Sequence, residues 1–421
     1  MTSSSRVTFG RAFVLAVVPA LLLSRCGLWP SFPDNLIAGD GGTTDVRTDG
    51  STDGRADGEA GMVGDGSLPD ATVDDVPSDV PPATWNGFRA CPAAPTMMLT
   101  PEPAFPPGDG GANPLARIAS ARDITFDGQG EMLIVGRDTP NTAVFTINSS
   151  GVVRPFFSAP QGFFFGARYL TDGRVVVTGS FQTTVMGMNV TLQGVTLLSP
   201  TGSVESRLPF DTTGPVTGTP WGSVAHPNGS FLVIDSTNNQ IIPFGSGMLP
   251  ATPPTPVNTA TAMPPAPDAQ RAAIYSADYR KLYIVAATNN LIHEYNVAED
   301  GTVDGNSRRV YASLPASSFP RSLAFDECGN LYVTLSVPGT PATGALVRIP
   351  PRGGTPFTLA TFDTVDAQRT IAFGAGPGFS ETSIYIADSS GPLNTARVLR
   401  VDVGITGQPI VRPRMMMMRD M

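Results

Sequence analysis

Arginine recurs in this chain at places that look alike. The tetrapeptide Asp-Ala-Gln-Arg occurs at 268–271 and again at 366–369, each time directly before an apolar run. Arg122 in ARDITF and Arg321 in FPRSLAF stand at the same point before theirs. A guanidinium is permanently charged, donates five N–H groups in a planar fork and accepts nothing. Arg122, Arg271, Arg321 and Arg369 therefore suit carboxylate or phosphate, and none of them can ligate a cation. Phe165 in FFFGARYL and Trp221 in PWGSVA occupy the corresponding point of two further segments and offer flat apolar faces.

Other chemistry is sparse. The two histidines are His226, in the turn-like AHPNGS, and His293, in the strand-like LIHEYNV. Neither adjoins a Ser or Cys motif, and the G-x-S-x-G nucleophile elbow is absent. His226 would be a channel histidine only by a resemblance to propeller lyases, against the plainer role of a turn residue. No metal or cofactor is expected. Local ion pairs can neutralise the arginines: Asp268 and Asp366 precede Arg271 and Arg369 by three residues, and Asp123 follows Arg122.

These residues need elements to hold them. Segments beginning at 121, 163, 219, 268, 319 and 366 share one pattern. Each is a short apolar alternation, a turn rich in Gly, Asp or Asn, and a second alternation of β-branched and aromatic residues. Most continue into a third run, such as AVFTINSS or ALVRIPPRG. A period of 40 to 50 residues with three or four strands describes a propeller blade, and six blades close into a ring that buries its own faces. The expected fold is all-β, a six-bladed β-propeller over 116–413. Each arginine or aromatic in question then stands at the start of a blade's innermost strand, around one end of the central channel.

FPRSLAFDECGNLYVT and SETSIYIADSSGPLNTARVLRVDV resemble the senescence-marker-protein and gluconolactonase family, and more loosely the NHL-repeat propellers. The resemblance implies a divalent metal at the channel mouth, held by Glu, Asn and Asp at the starts of inner strands, in a motif like Pro-Asp-Gly. The matching motif here is Pro320-Arg321-Ser322, with arginine in place of the aspartate. The other five matching places are Arg122, Phe165, Trp221, Arg271 and Arg369, so the implied metal site loses its ligands.

Composition separates the rest of the chain from the ring. Among 421 residues there are 45 glycines, 41 prolines and one lysine, Lys281. Arg6 and Arg11 precede the apolar run Ala12–Leu23, which reads as a signal peptide, residues 1–25. It ends in Leu-Ser-Arg-Cys-Gly, making Cys26 a candidate lipidation site, although Arg25 stands where a small residue is usual. Residues 26–84 are rich in Gly, Asp and Thr. Asp40–Asp79 alone carries the acidic excess, so this stretch is expected to be a disordered tether and the ring close to neutral. A near-neutral, almost lysine-free ring does not suit nucleic acid. Residues 85–115 are expected as a lead-in, 414–421 as a disordered tail, and 251–267 as an extended Pro-rich loop between blades. Cys91 and Cys328 are either a disulfide pair or free thiols.

The expected protein is an exported, lipid-anchored, monomeric propeller of the cell envelope. It binds an anionic small molecule, a glycan or a protein at the channel rim and is not a catalyst. The alternatives are a divergent gluconolactonase-like hydrolase or propeller lyase, and a purely structural ring.

Overall fold

The computed structural model describes residues 92, 94–105, 114–138, 141–159, 162–185, 188–210, 218–250, 254–258, 270–286, 290–316, 318–337, 343–362, 370–388, 396–409 and 411. Cys26, the signal and tether segments, Cys91, Asp268, Asp366, Arg369, the side chain of Arg271 and the tail 414–421 lie outside the described residues.

Six four-stranded antiparallel sheets follow one another along the chain. Blade one is β2 (Ala119–Phe126), β3 (Glu131–Asp138), β4 (Asn141–Asn148) and β5 (Val153–Ala159). Blade two is β6 (Phe163–Tyr169), β7 (Val175–Val185), β8 (Met188–Leu198) and β9 (Val204–Pro209). Blade three is β10 (Pro220–Ala225), β11 (Phe231–Asp235), β12 (Gln240–Phe244) and β13 (Val257–Asn258). Blade four is β14 (Gln270–Tyr275), β15 (Lys281–Ala286), β16 (Leu291–Val297) and β17 (Val303–Ser313). Blade five is β18 (Phe319–Phe325), β19 (Leu331–Val337), β20 (Thr343–Ile349) and β21 (Phe357–Phe362). Blade six is β22 (Ile371–Phe373), β23 (Ser383–Asp388) and β24 (Arg397–Asp402). Its outer edge is completed by β1 (Glu102–Pro103), which pairs with β24.

Two stretches behave differently from the sequence expectation. The lead-in supplies β1, so the last blade is closed by residues from the opposite end of the ring's own chain. The Pro-rich stretch supplies β13, the fourth strand of blade three.

Strand residues alternate between neighbours because successive side chains point to opposite faces. Met132 and Ile134 of β3 pack with blade six, while Leu133 and Val135 pack with blade two. Each interface between successive blades holds its own apolar cluster, and the cluster between blades one and six closes the circle. The hairpin turns below the inner strands are organised by side-chain acceptors. Asp326 takes the N–H groups of Cys328 and Asn330 at 2.9 and 2.8 Å, and Gly329 supplies the left-handed conformation at φ 78°. Cys328 is disulfide-bonded.

The chain leaves β24 and crosses that same turn end of the ring. Gly407 N donates to Glu381 O, Gln408 N to Phe325 O, and Gln408 Nε2 to Tyr275 O, while Val411 packs between blades two and three. This strap lies opposite the end where the inner strands start.

His293 is an outlier within the fold. It is 3% exposed on β16, and neither ring nitrogen finds a hydrogen-bond partner among the described residues. Burial pushes its pKa down to about 4, and the charge of Arg308 acts the same way. The unfolded chain, with an ordinary value of 6.5, binds this proton first. The stability tied to this group is complete above 6.5 and is lost as the pH falls toward 4, with a slope approaching ~1.4 kcal/mol per pH unit. His293→Leu should flatten the acid limb of stability in urea titrations across that window. Identical acid limbs for the two proteins would refute the assignment.

Candidate functional site at the strand-start end of the channel

Five of the six inner strands break register at the same place. The extra residue is Phe165 in β6, Trp221 in β10 and Arg321 in β18. Arg122 lies within the break Ala119–Asp123 of β2, and Arg271 within the break Gln270–Ala273 of β14. In blade six, β22 begins at Ile371, directly after Thr370. A bulge residue cannot join the ladder, so the strand bends and the side chain is re-aimed. Arg122, Phe165, Trp221 and Arg321 all line one cavity, a space of about 40 Å³ to which every blade contributes at least one residue. Ala272 and Thr370, next in sequence to Arg271 and Arg369, line it as well.

The aromatic wall is continuous. Phe165 and Trp221 stack with centroids 4.7 Å apart and planes at 23°, and Phe163 meets Phe165 edge-on at 5.0 Å. Arg122 lies over Phe163, its Cζ 3.3 Å from the ring centroid, a cation–π contact in a partly dry setting. On the far side, Arg321 Nε donates to Ser336 Oγ at 3.2 Å. Bulges in blades one and five thus bring two guanidiniums to the cavity, and those in blades two and three bring two aromatic rings.

The residue after the bulge does different work. Asp123, 3% exposed, accepts from Ile124 N at 2.9 Å, Ala167 N at 3.0 Å and Arg168 Nη1 at 2.6 Å. The ion pair of Asp123 is therefore with Arg168, one blade on, and not with its sequence neighbour Arg122. Burial raises the Asp123 pKa, and the Arg168 charge works against that rise. Gly166 makes the contact possible. A Cβ there would stand 3.0 Å from Asp123 Oδ2 and 3.2 Å from Thr178 Oγ1. Ser322 repeats the arrangement, its Oγ accepting Ile371 N at 3.1 Å. Sequence reasoning missed Arg168, whose partner is 45 residues away; the available signal was its place on an inner strand in GARYL.

His226 belongs elsewhere. It lies in the turn after β10, 6% exposed, edge-on to Tyr275 and Tyr279 at 5.3 Å each, and burial lowers its pKa. Among the described residues no group of three His, Cys, Asp or Glu side chains could hold a metal ion.

No family model matches this chain, and no curated protein matches it. Among solved structures, regucalcin of Agrobacterium tumefaciens, a calcium-binding protein, is similar with a TM-score of 0.51 at 12% identity, over 76% of this chain and 99% of that one. A gluconolactonase of Xanthomonas campestris gives 0.47 at 14%, over 75% and 99%. A virginiamycin B lyase of Staphylococcus aureus gives 0.41 at 16%, over 66% and 84%. At these identities the likeness concerns the fold, and it agrees with the resemblance read from blades five and six.

Asp123 and Glu131 separate buried from exposed ion pairs. Asp123→Ala removes the counter-charge of Arg168, which keeps only the carbonyls of Ile124 and Ala167, and strands two backbone donors, so it should cost about 3 kcal/mol of unfolding free energy. Glu131→Ala removes only the exposed 3.9 Å contact with Arg154 and should change stability by less than ~0.5 kcal/mol. Urea denaturation of the two variants checks this; equal losses would show that the cross-blade pair is no anchor.

Proposed function

We propose that the protein is a propeller-based binding module whose channel takes a small anion at the end where the inner strands start. The observation that carries this reading is the charge of the cavity. Three arginines, Arg122, Arg168 and Arg321, line it against one carboxylate, Asp123, a formal balance of 3 − 1 = +2 among the described lining residues. Low-dielectric walls strengthen such a field, and guanidinium forks match oxyanions. The stacked Phe165–Trp221 wall offers a flat apolar face to the rest of the ligand.

A hydrolase or lyase is the alternative, and the shared propeller fold is what favours it, although one fold hosts unrelated functions. An assay with simple aldonolactones and calcium, zinc or manganese tests it. No turnover above the uncatalysed rate is expected, and clear metal-dependent turnover would replace the binding reading.

The anion reading has its own test. Phosphate or gluconate should raise the melting temperature of the wild type, and Arg321→Ala should abolish most of that shift. A shift that survives the substitution would remove Arg321 from the site.

Export and anchoring rest on the sequence. Arg6, Arg11, the run Ala12–Leu23 and Cys26-Gly27 support a lipid-anchored protein of the cell envelope, held off the membrane by the acidic stretch. Cys26→Ser should release the protein to the soluble fraction; retention on membranes would overturn the lipid anchor.

A further inference from the structure

Arg168 lines the cavity and holds the protein through one nitrogen only. Nη1 donates to Asp123 Oδ2 at 2.6 Å, to Ala167 O at 2.7 Å and to Ile124 O at 3.2 Å. Those acceptors belong to β2 and β6, so the guanidinium is fixed against two neighbouring inner strands. Its side chain is 26% exposed, and Nε and Nη2 have no hydrogen-bond partner among the described residues and are not sealed from water. In a guanidinium Nη1 lies on the side of Cδ, so Nε–H and one Nη2–H point together from the opposite edge. This parallel pair is the fork that meets both oxygens of a carboxylate in one plane.

By register Arg168 stands deeper than the other inner-strand residues of the cavity. It lies three residues beyond the bulge residue Phe165 along β6, whereas Ser223, Ala273 and Leu323 lie two beyond theirs. Its open edge therefore belongs to the floor, and Phe165, Trp221, Ile234 and Leu323 supply the apolar lining. Recognition by such an edge is directional and does not depend on net charge, since Asp123 already offsets the charge of Arg168. At about 10–15 Å³ per water-sized sphere, the space of about 40 Å³ holds roughly three, matching the one carbon and two oxygens of a carboxylate. A phosphate, with a central atom and four oxygens, exceeds it.

We propose that Arg168 is the ligand anchor of this cavity and that its Nε–Nη2 edge takes the carboxylate group of a small organic acid. The remainder of the acid points up the channel past Phe165 and Trp221. This rests on the anion-binding reading above and narrows it to one ligand class. Asp123 and the carbonyls of Ile124 and Ala167 act as positioning groups, holding the guanidinium by Nη1 so that the fork is set before the ligand arrives.

Calorimetric titration of the full chain with acetate, gluconate, acetamide and inorganic phosphate tests the proposal. In the wild type both carboxylates should bind at least ~10-fold more tightly than phosphate, and acetamide at least ~10-fold more weakly than acetate, the loss of one bond to a charged group. Arg168→Lys keeps a cation beside Asp123 and removes the fork, and it should weaken both carboxylates about 10-fold. In the ¹⁵N-labelled wild type, the Nε–H resonance of Arg168, assigned by its proximity to Ile124 and Ala167, should move downfield as acetate is added. Should the lysine variant not fold, the wild-type selectivity and this resonance decide the matter. Phosphate bound as tightly as acetate, an unmoved Arg168 resonance, or a folded lysine variant with unchanged affinity would overturn the carboxylate fork and leave the anion-binding reading standing. Absence of binding by acetate, gluconate and phosphate alike would remove that reading as well.

Discussion

Every blade of this ring has two apolar faces and no way to cover either by itself. β3 shows the constraint in four residues, sending Met132 and Ile134 to one neighbour and Leu133 and Val135 to the other. An open stack of such sheets would leave one face wet at each end, which the hydrophobic effect opposes strongly. Closure is therefore the condition on which the rest depends. It is met by the cluster between blades one and six and by β1, which lends two residues of the leading chain to the outer edge of the last blade. Once the ring is closed, the inner strands are fixed at one radius and one height, and a residue's place in the repeat becomes a place in space.

The bulges convert that scaffold into a site. An inner strand in unbroken register presents the channel with backbone and small side chains. One extra residue, or two in β2, at the same place in successive blades turns a large side chain toward the channel. Arginine or an aromatic ring fills the described bulges, and in blades one and five the residue one step later stitches the inner strand to the next. Asp123 reaches Ala167 N in blade two, and Ser322 reaches Ile371 N in blade six, the same contact made by different chemistry. The rim and the stitching are thus written in adjacent positions of one strand.

This division explains what could be read from the sequence. The repeat declares itself through alternation and turns, and the start of each inner strand follows by counting back from the second strand. That places Arg122, Phe165, Trp221 and Arg321 together, because a bulge preserves position along the chain. The cross-blade contacts have no such signature. Arg168 and Asp123 are 45 residues apart, and Ser322 and Ile371 are 49 apart. β1 and β13 are two residues long and lie in Pro-rich chain, too short and too poor in alternation to stand out from loop. Their pairing is imposed by the blade edge they complete.

Electrostatics sets the last requirement. Like charges at one rim repel, and the repulsion can be relieved by pairing each guanidinium with an acid or by holding it with neutral groups. The molecule uses both. Arg168 is tied to the buried Asp123, which fixes two blades together and removes one charge from the cavity balance. Arg122 rests on the face of Phe163, and Arg321 donates Nε–H to Ser336. A ring face and a hydroxyl help to orient these two guanidiniums at the channel. A bulge position commits to one side chain and to no particular sign. Carboxylates on the same five register breaks would favour a cation on an unchanged scaffold, whereas the arginines that stand there favour the proposed anion. The sign of the ligand is thus decided by single residues that the fold itself does not constrain.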